Sequence, residues 1–132
     1  MSKTVLIVED EIFVAMDIER ILADAGYTVT AIAADRQTAL SSPVTPDIAF
    51  VDINLRDGQT GPIVANELAN FGTKVFYVTA NPAQIEPIAP TAIGYIRKPF
   101  SAEAIRAAAD LAANDANASG HAEITLLRGG SA

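Results

Sequence analysis

Five short apolar runs, each set off from the next by a helical pattern or a turn, limit this chain to a small set of folds. Residues 4–8 read Thr-Val-Leu-Ile-Val, residues 48–51 Ile-Ala-Phe-Val and residues 74–78 Lys-Val-Phe-Tyr-Val. Continuous rather than alternating runs suit strands covered on both faces. Residues 27–33 and the short Tyr95-Ile96 pair complete a set of five predicted strands. Between them, apolar residues recur near a helical period over 12–25, with Gly26 as the stop, and Asp35 is placed to cap a short helix over 35–40. Pro62 opens a helix that runs to about residue 71, and Ser101 caps an alanine-rich helix over 102–114. Strands alternating with helices predict an α/β domain on a parallel sheet with right-handed crossovers.

Composition narrows the class of function. Half of the 132 residues are hydrophobic (50%) and 19% are charged, which predicts a packed core. That length fits one domain, placed at 1–114. Residues 115–132 form a tail rich in small residues, with one apolar cluster at Ile124-Thr125-Leu126-Leu127. The plain expectation for it is a flexible end; the sharper one is an extra strand or a partner-binding segment. A net charge of -7 repels phosphate backbones, so no direct nucleic acid binding is expected. With no Cys and one His (His121), thiolate and His-cluster metal sites are excluded. No apolar run approaches the ~20 residues that span a bilayer, so no membrane insertion is expected. The run after Met1-Ser2-Lys3 is too short for a signal-peptide core, and the expected location is cytoplasmic.

In open parallel sheets, sites form beyond the carboxyl ends of the strands, where strand order reverses. The first predicted strand ends in Glu9-Asp10, the third in Asp52 and the fourth in Thr79, and Lys98 closely follows the fifth. All would meet at one end of the sheet. Clustered carboxylates raise one another's pKa, an arrangement that makes sense around a hard divalent cation with oxygen ligands. A metal site with open positions suits a phosphoryl group. A carboxylate there can act as nucleophile, with the metal and Lys98 neutralising charge on the transferring oxygens.

Taken in order, Val5-Leu6-Ile7-Val8-Glu9-Asp10-Glu11, the Asp52 after Ile48-Ala49-Phe50-Val51, Thr79-Ala80, and Tyr95-Ile96-Arg97-Lys98-Pro99-Phe100 resemble the receiver domain of two-component response regulators. The resemblance implies a five-stranded parallel sheet in the order 2-1-3-4-5 with helices on both faces. It implies Asp52 as phosphoacceptor, Asp10 as direct metal ligand with Glu9 acting partly through water, and Asn54 offering its backbone carbonyl, so that Glu9, Asp10, Asp52 and Asn54 hold Mg²⁺ (or Mn²⁺). Thr79, Ala80 and Lys98 would bind the phosphoryl oxygens. The bond before Pro99 is often cis in such domains. Tyr95 matches an aromatic switch coupled to Thr79, and Asn54 and Asn81 flank the path of the hydrolytic water. The implied phosphoryl donor is a sensor histidine kinase or a histidine phosphotransfer protein. It would dock on Ile12, Phe13 and Met16 with Pro99 and Phe100; the downstream partner would be a further protein. Such a protein takes up and hydrolyses its own phosphoryl group but turns over no metabolite. It signals through partners or acts as a phosphate sink.

The chain departs from the family pattern between Thr79 and Tyr95, an interval that is short and carries Pro82, Pro87 and Pro90. A proline inside a helix costs ~3 kcal/mol or more, so the fourth family helix is expected to be short or distorted, and to order or disorder with phosphorylation. In this it resembles the atypical receivers of alphaproteobacterial stress signalling. No output domain fits after Asn114, so a stand-alone receiver is expected. The alternative is a phosphorylation-independent adaptor that keeps the pocket by descent. A carboxylate-nucleophile phosphatase is disfavoured because Asp52-Ile53-Asn54 lacks a second acid. A flavin binder is disfavoured because the acidic loop after Val8 would repel its phosphate.

Overall fold

The computed structural model describes residues 3–113 and 120–127. The strands are β1 Thr4–Val8, β2 Thr28–Ala33, β3 Ile48–Val51, β4 Lys74–Thr79, β5 Ala92–Arg97 and β6 Ile124–Leu126. They form one sheet in the order β2-β1-β3-β4-β5-β6, parallel throughout except for β6, which is antiparallel to β5. The expected order of the first five strands holds; the sixth strand corrects their number. The extra strand that Ile124–Leu126 leaves open at the level of sequence forms on the β5 edge. The predicted helix end at Asn114 and the tail residues 115–119 and 128–132 lie outside the described residues.

The α-helices are α1 Ile12–Asp24, α2 Arg36–Leu40, α3 Gly61–Ala69 and α4 Ala102–Ala112. α1 and α4 cover one face of the sheet, where Ile18, Leu22, Ile105 and Ala108 pack on Ile7, Phe50, Phe76 and Ile96. α2 and α3 cover the other, where Ala39, Val64 and Leu68 pack on Leu6, Ala49, Val51 and Tyr77. This double cover explains why β1 and β3 read as unbroken apolar runs: every residue of β3 is buried. The caps work as predicted. Asp35 accepts from the Thr38 N–H at 2.9 Å and Ser101 from the Ala104 N–H at 3.1 Å. Gly26, at φ 94°, sits where the chain turns out of α1 in a left-handed conformation that favours glycine.

Between β4 and β5 the expected short or distorted helix is reduced to a single 3₁₀ turn, Pro82–Gln84. The prolines remove the donors an α-helix needs there. The segment is nonetheless packed: Ile85 and Ala89 are buried, and the Ala89 N–H donates to the Tyr77 hydroxyl at 3.1 Å.

Candidate functional site

The strand order places β2 and β3 on opposite sides of β1, so the loops leaving β1 and β3 diverge and open a crevice at their carboxyl ends. Glu9 directly follows β1 and Asp52 directly follows β3, and both are buried. The Lys98 ammonium reaches between them, 2.8 Å from Asp52 Oδ2, 2.7 Å from Glu9 Oε1 and 3.2 Å from Glu11 Oε1. The backbone around Lys98 is tied to β4 by a hydrogen bond from its N–H to the Thr79 carbonyl at 3.0 Å. The Lys98–Pro99 bond is cis.

Both Asp52 oxygens are engaged: Oδ1 accepts from the Ile53 N–H at 2.7 Å and Oδ2 from Lys98. Glu9 behaves differently. Its burial, reinforced by the Asp52 charge and only partly relieved by Lys98, pushes its pKa to about 7. Glu9 Oε1 is paired with the Lys98 ammonium and, that ion pair aside, has no hydrogen-bond partner, while Oε2 accepts from the Glu11 N–H at 3.1 Å. Burial disfavours the Lys98 charge, but its contacts with Asp52 and Glu9 outweigh that and hold its pKa above the ordinary lysine value.

Glu9, Asp10, Glu11 and Asp52 each offer a carboxylate oxygen, all within 4.8 Å of one another. Asp10 and Glu11 are exposed, so the cluster is buried on the sheet side and open to solvent. One ammonium does not balance four carboxylates. A hard divalent cation with several water ligands fits this donor set, and the buried Glu9 Oε1, with no hydrogen bond beyond its ion pair with Lys98, fits it too. Asn54, half-buried two residues beyond Asp52, donates its side-chain amide to Gln84 at 3.0 Å.

Thr79 is fully buried at the end of β4, its hydroxyl accepting from the Asn81 N–H at 3.0 Å, and Ala80 beside it is exposed. Tyr95 is half-buried in β5, opposite Thr125 of β6. On the outer side of Lys98, Phe13, Val14, Asp17, Pro99 and Phe100 line an open cleft of about 470 Å³. Phe13 is 84% exposed, and Ile12 and Met16 are more than half exposed on the same helix.

This end of the sheet thus gathers a buried candidate nucleophile, an acid cluster, a buried hydroxyl and a fixed lysine. The sequence matches the response regulator receiver domain over residues 5–110. The chain belongs to this family. Among its relatives, the phyllosphere-induced regulator PhyR of Methylorubrum extorquens is 33% identical over 105 residues, which cover 76% of this chain and 39% of that protein. The receiver domain of PhyR from Erythrobacter litoralis superposes with a TM-score of 0.77 at 27% identity, over 91% of this chain and 96% of that one. The anti-anti-sigma factor PhyR from Bartonella quintana gives a TM-score of 0.72 at 29% identity, over 86% of this chain and 48% of that one. The chain therefore spans less than half of the full-length relatives it matches.

Sequence reasoning missed three contributors to the receiver site. Glu11 was visible in the acidic run but had no reason to be singled out from it; its contact with Lys98 depends on how α1 begins. Gln84, at the end of the 3₁₀ turn, accepts from the Asn54 amide, a contact that nothing in the local sequence marks. Gly61 lies against the Asp52 backbone, and a loop glycine carries no mark of such an approach.

Proposed function

We propose that this receiver domain accepts a phosphoryl group on Asp52 from the phosphohistidine of a sensor kinase or phosphotransfer protein and passes the signal on by protein–protein contact. The observation that carries the reading is the Lys98 ammonium at 2.8 Å from Asp52, beside the open acid cluster of Glu9, Asp10 and Glu11. A Mg²⁺ ion held by Glu9, Asp10, Asp52 and the Asn54 carbonyl would supply positive charge to the phosphoryl oxygens.

The residues of the chain do the rest. An Asp52 oxygen forms the new bond to phosphorus as the bond to the donor histidine nitrogen breaks. Each Asp52 oxygen accepts one hydrogen bond and keeps a lone pair for phosphorus; as the bond forms, Lys98 transfers its hydrogen bond from the carboxylate to a phosphoryl oxygen. The Thr79 hydroxyl turns from the Asn81 N–H to a second phosphoryl oxygen, and the Ala80 N–H serves a third. Electrostatic stabilisation of this kind is the main source of phosphoryl-transfer catalysis. The exposed Ile12, Phe13 and Met16, with Pro99 and Phe100 at the cleft, offer the donor an apolar landing surface next to Asp52. Relatives of this type include an anti-anti-sigma factor, and a sigma-regulatory pathway is the corresponding proposal for the protein partner downstream.

The test is intact mass after incubation with Mg²⁺ and acetyl phosphate, beside Asp52→Asn. A phosphoryl adduct on the wild type only, abolished by EDTA, is expected. If no adduct forms, transfer from a phosphorylated histidine kinase decides the question. Failure there too leaves the phosphorylation-independent adaptor.

A further inference from the structure

Residues 120–127 fill a seat on the sheet edge that the rest of the fold shapes for a strand. β6 runs antiparallel along β5, with Gly94 opposite Leu126, Tyr95 opposite Thr125 and Ile96 opposite Ile124, and the Leu127 N–H donates to the Ile93 carbonyl at 2.8 Å. Gly94 makes this approach possible, because a Cβ there would lie 2.4 Å from the Thr125 carbonyl oxygen. Side chains secure the strand at both ends. Glu123 Oε1 accepts from the Ser101 N–H at 2.9 Å. Ile124 packs on the core under α1 and α4, and Leu127 on the core of the opposite face. The occupant itself is slight: the strand has three residues, and Thr125 and Leu126 are exposed.

We propose that the β5 edge is a strand-addition surface for an extended protein segment of the pattern acid–apolar–x–x–apolar, and that residues 120–127 occupy it in cis until such a partner displaces them. Each element of the pattern answers a feature of the seat. The acid meets the Ser101 N–H, the two apolar residues meet the two cores, and main-chain bonds to β5 supply affinity that is independent of the rest of the sequence. The Glu123-Ile124-Thr125-Leu126-Leu127 segment shows that this chemistry fits. A partner in this seat lies along Tyr95 and contacts Ser101, three residues beyond Lys98. The proposal goes beyond the phosphoacceptor reading and does not depend on it.

The test uses a fluorescent peptide with the sequence of residues 120–127 and the full chain, wild type and Thr125→Pro. Thr125 is exposed, so the proline breaks the β6 ladder without opening a core. Anisotropy is expected to show binding to Thr125→Pro that is tighter than to wild type by about tenfold or more, since the cis segment competes in the wild type. A peptide with Lys in place of the glutamate is expected to bind neither. Hydrogen exchange on the Thr125→Pro complex is expected to show renewed protection at residues 93–96. Equal affinity for the two chains, no binding to Thr125→Pro, or protection elsewhere overturns the proposal. If Thr125→Pro does not fold, exchange on the wild type decides. Opening of residues 124–127 while β1, β3 and β4 stay protected supports displacement, and exchange at one common rate with β4 overturns it. No phosphoryl donor enters the experiment, so its failure leaves the assignment of Asp52 untouched.

Discussion

A Cβ at Gly61 would lie 1.9 Å from the carbonyl oxygen of Asp52 and 2.7 Å from the Cα of Ile53. The first turn of α3 therefore rests directly on the backbone of the proposed phosphoacceptor, and the Gly61 N–H donates to the Ile53 carbonyl at 3.0 Å. Gly61→Ala has to push α3 away from β3 or move Asp52. We expect a loss of about 1–3 kcal/mol, the usual cost of overpacking, read as a lower urea midpoint. Adduct formation with acetyl phosphate is expected to slow as well, because the displaced atoms carry Asp52. An unchanged midpoint would show that the contact yields freely.

Much of this arrangement is legible in the sequence because strand ends announce themselves. A buried apolar run that stops at Glu9-Asp10, Asp52 or Thr79 marks both an element and the polar group it delivers, and the parallel sheet brings those ends together. What stays hidden depends on long-range approach. Gly61 and Gly94 look like ordinary loop and strand glycines until a carbonyl oxygen is found where their Cβ would be. β6 is three residues long, too short for an alternation to show, and it owes its place to the β5 edge. The prolines at 82, 87 and 90 signal a damaged helix but not that Ile85, Ala89 and the Tyr77 hydroxyl would hold the segment in place without one.

Lys98→Met tests the electrostatics of the site. It leaves Glu9 and Asp52 buried and facing each other without their cation. Removing one partner of a buried ion pair costs about 3–5 kcal/mol, and the open side of this cluster places the expected loss at the lower end of that range. Mg²⁺ is expected to restore part of it and to stabilise Lys98→Met more than wild type, since in the variant the ion is the only positive charge among the acids. The measurement is the urea midpoint of each protein in Mg²⁺ and in EDTA. Equal effects of Mg²⁺ on both would count against the acid cluster as its site.

Asp47 ties β1 to the start of β3: Oδ2 accepts from the Thr4 N–H at 2.8 Å and from the Thr4 hydroxyl at 3.0 Å. The Thr4 N–H hydrogen bond, helped by the Thr4 hydroxyl and the Lys3 charge, holds the Asp47 pKa below its ordinary 3.8. Because the folded state depresses this pKa, the contribution is fully present above 3.8 and fades as pH falls through the folded value. Asp47→Ala is therefore expected to be less stable than wild type at neutral pH, with the gap narrowing as the solution is acidified below 3.8. Denaturation midpoints across an acid series check this, and a gap that widens in acid would reverse the sign argued here.

Tyr77→Phe tests how independently residues 81–91 move. The Tyr77 hydroxyl accepts from the Ala89 N–H in a buried setting, so its removal leaves that donor unpaired at a cost of about 1–3 kcal/mol. At its other end the segment is held by the Asn54–Gln84 hydrogen bond beside the acid cluster, and in its middle the Pro87 carbonyl accepts from the Asn66 amide at 3.0 Å. Loss of the Tyr77 anchor is expected to speed hydrogen exchange over residues 83–89 while β1 and β3 keep their protection. A beryllofluoride mimic with Mg²⁺, drawing Thr79 and Asn54 toward Asp52, is expected to change exchange over these residues in the wild type and to change it less in the variant, where one tether is already gone. If exchange instead rises uniformly through the sheet, the segment is an integral part of the core rather than an element that the site can order or release.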